Sequence, residues 1–367
     1  MCKKNFFNDL NHSHKLFYGV CFVSALLLLS MTSCQNDKQD SQLAINEIMA
    51  SNHTGLLDDD GELYDWIEIK NLSDSETANL SGYTLTFEKD QEAVQKKKEK
   101  KDSLNNEEDN NNDNAPSNDV DNDKAPKMKS WDIPDVTLKP GECLVIFASK
   151  KDKDDPKGKL HASFKLSDLG GTLKLMHGDK VISEIKYGEL KDDQCYRRLG
   201  DKKYEISYEA TPGFDNNAEG FESYCTLLEK QRKSPLRLWE IHTKGYNEGK
   251  AWIEVKNVSH ESINLQDYCL TNSKKELSQW RFPQVELKPG EFYVVDCLEV
   301  GFKVGGKKSV TITKDEKFMD GMCGAAAPLG ISTGRVEGKD GIFYFTEPTR
   351  GAENTTNPIR SVASLPK

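Results

Sequence analysis

"DWIEIKN", Asp65 to Asn71, returns almost unchanged as "AWIEVKN", Ala251 to Asn257. Period-two alternation places Ile67 and Ile69 on one face of a strand and Trp66, Glu68 and Lys70 on the other. The second copy turns Ile253 and Val255 inward and Trp252, Glu254 and Lys256 outward. The flanking words extend the match. "WIEIKNLSDSETANLSGYTLT" from Trp66 pairs with "WIEVKNVSHESINLQDYCLT" from Trp252, and "WDIPDVTLKPGECLVIF" from Trp131 with "WRFPQVELKPGEFYVVD" from Trp280. Each copy then closes on a Pro-containing turn and an asparagine, "ATPGFDN" ending at Asn216 and "TEPTRGAEN" ending at Asn354. The same words in the same order mean an internal duplication.

Both copies spell short strands bounded by Gly, Pro, Asn and Asp, such as "YTLTF", "GTLKLM", "EFYVVD" and "SVTITK". "KPGE", at Lys139 and Lys288, has the Pro and Gly placement of a type II turn. Little helix lies between the strands, so the expected fold is all-β: two immunoglobulin-like β-sandwiches in tandem, joined by a short helical linker. Trp66 to Trp131 is about twice as far as Trp252 to Trp280, which locates an insertion at about 88–129. Nearly free of apolar residues, it is expected to be disordered. Its Lys96–Lys101 run is neutralised by the Asp/Glu/Asn stretch behind it, which argues for a solvated loop over a polyanion site. Between the copies, Phe221, Tyr224, Cys225 and Leu228 recur at helical spacing, with Asn216 and Glu219 spaced as a capping box and Pro235 as the stop.

The amino terminus reads as a targeting segment. Lys3, Lys4 and Lys15 precede the apolar run "LFYGVCFVSALLLL", Leu16 to Leu29, about the length of a signal-peptide core. Thr32 and Ser33 before Cys34 resemble a bacterial lipobox, which implies lipid on Cys34 and anchorage by acyl chains. The acidic residues that follow resemble the surface-export signals of Bacteroidetes lipoproteins. The expected location is the bacterial cell envelope, as an outer-membrane lipoprotein facing the periplasm or the outside. The expected organisation is a signal peptide at 1–33, a flexible tether at 34–42, sandwich one at 43–216, a linker at 217–235, sandwich two at 236–354 and a flexible tail at 355–367.

A net charge of −10 over 367 residues argues against a nucleic-acid partner, which needs a basic footprint. Beyond the signal and Cys34, Cys143, Cys195, Cys225, Cys269, Cys297 and Cys323 include no CxxC pair, and their apolar neighbours favour buried free thiols over disulfides.

The words "INEIMASN", "LDDDGELYDWIEIKN", "NLSGYTLT", "HASFKLSDLGGTLKLMHGDK" and "EATPGFDN" resemble the lamin tail domain of secreted and surface bacterial proteins, over Leu43 to Asn216 apart from the insertion. Leu236 to Asn354 is a weaker example, without the acidic loop and the "FKLSDLGG" word. The resemblance implies an immunoglobulin-like accessory, adhesive or tethering module without catalytic residues.

The chain has no GxSxG, HExxH, P-loop or Rossmann fingerprint. Its dense carboxylate cluster, Asp58, Asp59, Asp60, Glu62 and Asp65 around Gly61, is a candidate calcium loop, although its spacing is not that of an EF-hand and acidic surface turns are common. For Trp66 and Glu68 two readings stand: a flat aromatic beside a carboxylate as a sugar or peptide face, or a scaffold in which the Trp packs and the Glu pairs with a base such as Arg198 or Arg335. The scaffold reading is preferred. The expected function is a non-enzymatic, lipid-anchored binding, adhesion or scaffolding protein with an envelope protein or glycan as partner and no cofactor other than the candidate calcium. The rival is a hydrolase or nuclease-associated enzyme using carboxylates as acid and base.

Overall fold

The computed structural model describes residues 39–108, 128–243, 250–305, 308–324, 327–328, 330–354 and 357–365. The signal segment, Cys34 and residues 109–127 of the insertion lie outside them.

Among the described residues, the first sandwich faces a six-stranded sheet against a four-stranded one. The larger runs Lys203–Ser207, Cys195–Gly200, Leu43–Met49, Trp66–Asn71, Cys143–Ala148, Leu160–Ala162; the smaller runs Lys180–Tyr187, Gly171–His177, Tyr83–Lys89, Lys129–Asp132. The second sandwich repeats this order. Its larger sheet runs Phe343–Phe345, Ser332–Gly334, Leu236–His242, Trp252–Asn257, Phe292–Asp296, and its smaller one Lys317–Met322, Val310–Lys314, Cys269–Thr271, Trp280–Arg281. Leu160–Ala162, paired parallel to Cys143–Ala148, is the strand without a counterpart among the described residues. Ile67 and Ile69 enter the first core and Ile253 and Val255 the second.

The first strand of each copy bulges at the same place, between Ile45 and Glu47 and between Leu238 and Glu240. A bulge strands a backbone N–H, which the opposite sheet must satisfy. Ser183 Oγ accepts it from Ile45 at 3.1 Å, and Asp320 Oδ2 accepts it from Leu238 at 2.9 Å. The bulge also aligns Glu47 with Glu68 and Glu240 with Glu254 across the strand pair. The last residue of each repeated word welds it to the "KPGE" turn. Asn71 Nδ2 donates to Leu138 O and Asn257 Nδ2 to Leu287 O, while the N–H of Gly141 and Gly290, at φ +72° and +75°, return to the Asn71 and Asn257 carbonyls.

Four expectations need correction. The insertion begins as a helix, α1 (Gln91–Glu108), rather than disordered chain. Its Gln, Glu, Lys and Ala are strong helix formers, Asp90 Oδ1 accepts from Ala93 N at 3.1 Å, and Gln95 bonds Glu99 one turn on, so local terms hold it without an apolar face. The second helix, α2 (Ala218–Gln231), is capped by Asn217, whose side chain accepts from Gly220 N, because Asn216 is engaged elsewhere. The tether is fixed from Gln39, since buried Asp40 accepts from Tyr83 Oη at 2.5 Å, His177 Nδ1 at 2.9 Å and Lys180 Nζ at 2.9 Å. The tail is also docked. Ile359 exchanges backbone hydrogen bonds with Tyr344 on the outer edge strand of sandwich two, and Arg360 binds Glu222 of α2.

The two sandwiches meet around α2. Ser309 donates its N–H to Asp192 and its hydroxyl to Asp193, Arg232 donates to Thr54 O, and Ser361 to Glu209.

Candidate functional site

The outer face of each Trp/Glu strand is closed, so the expected outward orientation does not make an exposed ligand face. Trp66 and Glu68 are fully buried, as is Glu254, and Trp252 is nearly so. Trp66 packs, as the scaffold reading expects, on its neighbouring strands against Met49 and Phe147, and with Ala210 and Tyr224. What covers Glu68 is the loop that ends the sandwich.

That loop reads Thr-x-Gly-x-x-Asn in both copies, Thr211 to Asn216 and Thr349 to Asn354. In sandwich one, Thr211 N donates to Glu47 and the Thr211 hydroxyl lies within hydrogen-bond distance of Glu47 Oε2, and Gly213 N donates to Glu68 Oε2 at 2.5 Å. In sandwich two, Thr349 makes the same contacts with Glu240, and Gly351 N donates to Glu254. Asn216 Nδ2 reaches Arg198 O at 2.8 Å, and Asn354 Nδ2 reaches Arg335 O at 2.9 Å. Lys70 pairs with Asp215, and Lys256 with Glu353, at the same loop position. Each letter of the repeated word thus has a task. The aliphatics enter the core, Glu and Lys clasp the closing loop, and Asn holds the turn. The bases expected beside the glutamates offer backbone carbonyls to the loop Asn, and the Arg335 guanidinium turns instead to Asp320 and Glu229.

Hydrogen-bond geometry places a proton in each clasp. Asn216 must point its amide nitrogen at the Arg198 carbonyl, so its Oδ1 faces Thr211 Oγ1 at 2.8 Å. Thr211 Oγ1 also lies 2.9 Å from Glu47 Oε2. A hydroxyl carries one proton and cannot donate to both acceptors. Both contacts are satisfied when Glu47 is protonated and donates to Thr211, which donates to Asn216. The Glu240, Thr349, Asn354 chain repeats this arrangement. Burial acts in the same direction, raising Glu47 to about 7 and, with Glu47 as a neighbour, Glu68 to about 8. Burial likewise raises Glu240, and Glu254 to about 8. Glu68 keeps donors on both oxygens, from Asn46 Nδ2 at 2.6 Å and Gly213 N, so within the first pair the proton belongs on Glu47.

The five acidic-loop residues do not converge on one point. Asp58, Asp60 and Glu62 come together, but Lys151 Nζ stands among them at 2.6, 2.8 and 3.0 Å. The ammonium occupies the place a cation would take. Asp59 turns to the Lys159 N–H, and Asp65 reaches Asn52 N and, 3.6 Å away, Lys274 of the second sandwich. The loop is an ion-paired turn in which Asp58, Asp60 and Glu62 group closely enough to hold a metal ion, with Lys151 among them, while Asp59 and Asp65 stand apart.

One grouping escaped the sequence reading: Ser149 Oγ is 2.9 Å from His161 Nδ1, and His161 Nε2 is 3.9 Å from Asp58 Oδ2. The residues are those of a nucleophilic triad. All three side chains are buried, the His–Asp contact exceeds a hydrogen bond, and burial lowers the His161 pKa, so the group caps a strand end. Spacing alone could not reveal it, because the parallel strand Leu160–Ala162 brings His161 to Ser149.

Residues 36–189 match the family model of the Lamin Tail Domain. The first sandwich is similar to that immunoglobulin-like family over most of its length; the match ends before Thr211 and before the second sandwich. No curated protein matches the chain.

Proposed function

We propose that the protein is a lipid-anchored cell-envelope protein whose two lamin-tail-like sandwiches form a non-enzymatic binding and scaffolding body. The observation that carries this reading is that the groups most suggestive of chemistry are consumed by the fold. Glu47, Glu68, Glu240 and Glu254 hold closing loops, and Asp58, Asp60 and Glu62 hold Lys151. The second sandwich, with the same strand order and clasp, is a second copy of the same family. The acid–base rival has raised carboxyls in its favour, but Glu47, Glu68, Glu240 and Glu254 are buried and hydrogen-bonded to the closing loops.

Cys34 after an apolar run supports a lipid anchor, and the five peptide steps from Cys34 to Gln39 reach at most about 18 Å. The body is thereby held near the bilayer, where its partner is an envelope protein or glycan. Cell fractionation of Cys34→Ala tests the anchor: the variant leaves the membrane fraction, and continued sedimentation with membranes sinks the reading. Protease shaving of intact cells followed by crosslinking identifies the exposed side and the partner.

A further inference from the structure

The two sandwiches leave one equivalent edge in different states. In sandwich two the outer edge strand, Phe343–Phe345, is closed by the tail: Tyr344 N donates to Ile359 O at 2.9 Å and Ile359 N to Tyr344 O at 3.0 Å. The strand in that place in sandwich one is Lys203–Ser207. It pairs with Cys195–Gly200 on its inner side and, among the described residues, with no backbone on its outer side. Such an edge presents a row of backbone donors and acceptors to another extended strand. This one is also held in shape, since the Tyr204 hydroxyl donates to Ile45 O at 2.7 Å and its ring stacks on Tyr196.

The side chains around the edge indicate what covers it. Ile206, Leu199 on the paired strand and Val181 on the edge strand of the smaller sheet are exposed apolar residues. Ser183, two residues from Val181, reaches the same Ile45 as Tyr204 does, so the two sheet edges share one flank. Lys203 and Glu205, two residues apart, fall on one face of the strand with opposite charge. A lone edge lysine keeps foreign strands away, but a lysine and a glutamate at this spacing complement a second copy of themselves. Of the two-fold antiparallel registers, the one centred on Tyr204 sets Lys203 of each copy opposite Glu205 of the other. The registers to either side set lysine on lysine or glutamate on glutamate, which like-charge repulsion disfavours. Glu205 has room for both roles: Arg197 binds its Oε1 at 2.9 Å through Nε and 2.8 Å through Nη2, and its side chain stays 38% exposed.

We propose that Lys203–Ser207 is a dimerisation edge, through which two copies of this chain pair antiparallel about a two-fold axis at Tyr204, with Val181, Leu199 and Ile206 at the margin of the contact. Five residues a side make a small interface, so the pair is reversible. The inference concerns the folded body alone and does not depend on the anchor or on the envelope partner.

Sedimentation velocity of the purified full-length protein in neutral detergent, over a concentration series, tests the edge by charge reversal. The wild type is expected to pass from monomer to dimer. Lys203→Glu and Glu205→Lys each set two like-charge pairs across the axis, and each is expected to associate at least about tenfold more weakly. An equimolar mixture of the two variants restores both opposite-charge pairs and is expected to recover the dimer, which misfolded variants would not do. A wild type that remains monomeric gives the edge to a different protein and overturns the proposal. So do single variants that associate as tightly as the wild type, or a mixture that associates no better than its components.

Discussion

The two sandwiches solve the same local problems with different chemistry. Both strand the N–H of the bulge residue; the first satisfies it with neutral Ser183, the second with Asp320, which also binds Arg335 and Arg237 and lies near Arg232. Both bury a glutamate under the closing loop. In the first, Asn46 donates to Glu68 Oε1; in the second, Trp239 holds the position of Asn46, and Glu254 Oε1 has no partner among the described residues. Trp239 instead lies under Lys256, 4.2 Å from its ring. The clasp tolerates different neighbours because backbone N–H groups do the holding; what surrounds it sets how much each side chain matters.

The largest expected effect comes from giving sandwich two its partner's solution. Asp320→Ser keeps a hydroxyl acceptor for the bulge but leaves buried guanidiniums without their carboxylate. A loss of about 3–5 kcal/mol in denaturant unfolding is expected, against about 1 kcal/mol for Ser183→Ala. Equal losses would mean the arginines are solvated.

The paired glutamates predict a common pH response. Folded pKa values raised from 4.5 to about 7 and 8 mean that the native state binds more protons than the unfolded chain between those values. This contribution is fully present below about pH 4.5 and is lost as pH rises through the folded values, on the order of 3 kcal/mol for the Glu47 proton, and the raised Glu240 and Glu254 act in the same direction in sandwich two. Glu47→Gln should flatten the contribution of sandwich one and leave that of sandwich two. Melting curves from pH 5 to 9 that show no decline in the wild type would remove the proton from the clasp.

Glu68→Gln and Glu254→Gln sharpen the comparison further. Both Glu68 oxygens receive donors, so an amide there sets N–H against N–H, at about 2 kcal/mol; Glu254 has one oxygen free and should lose under about 1 kcal/mol. The reverse order would show that Asn46 contributes nothing. The smallest effect concerns the acidic loop of sandwich one. Millimolar calcium should leave the wild-type melting temperature unchanged, because Lys151 fills the cluster, and raise it modestly in Lys151→Met, where Asp58, Asp60 and Glu62 are freed. A rise in the wild type would restore the loop as a metal site.

Much was legible in the line of residues, and for a physical reason: strand periodicity and turn chemistry are local. Ile67, Ile69, Ile253 and Val255 announce their cores, "KPGE" announces its turn, and the duplicated words fix the order of strands, since a strand's inward residues need only their own alternation. The helix Gln91–Glu108 differs from the expected disorder because low hydrophobicity does not exclude structure where helix propensity and side-chain pairs favour it. Tertiary structure alone decided the rest. Only the meeting of residues 145 positions apart puts Gly213 on Glu68 and so makes an apparently outward carboxylate a buried, loop-holding one. The placing of Lys151 among carboxylates 89 to 93 positions earlier likewise turns a candidate cage into an ion-paired turn, because charge and burial are set by what packs from elsewhere in the chain.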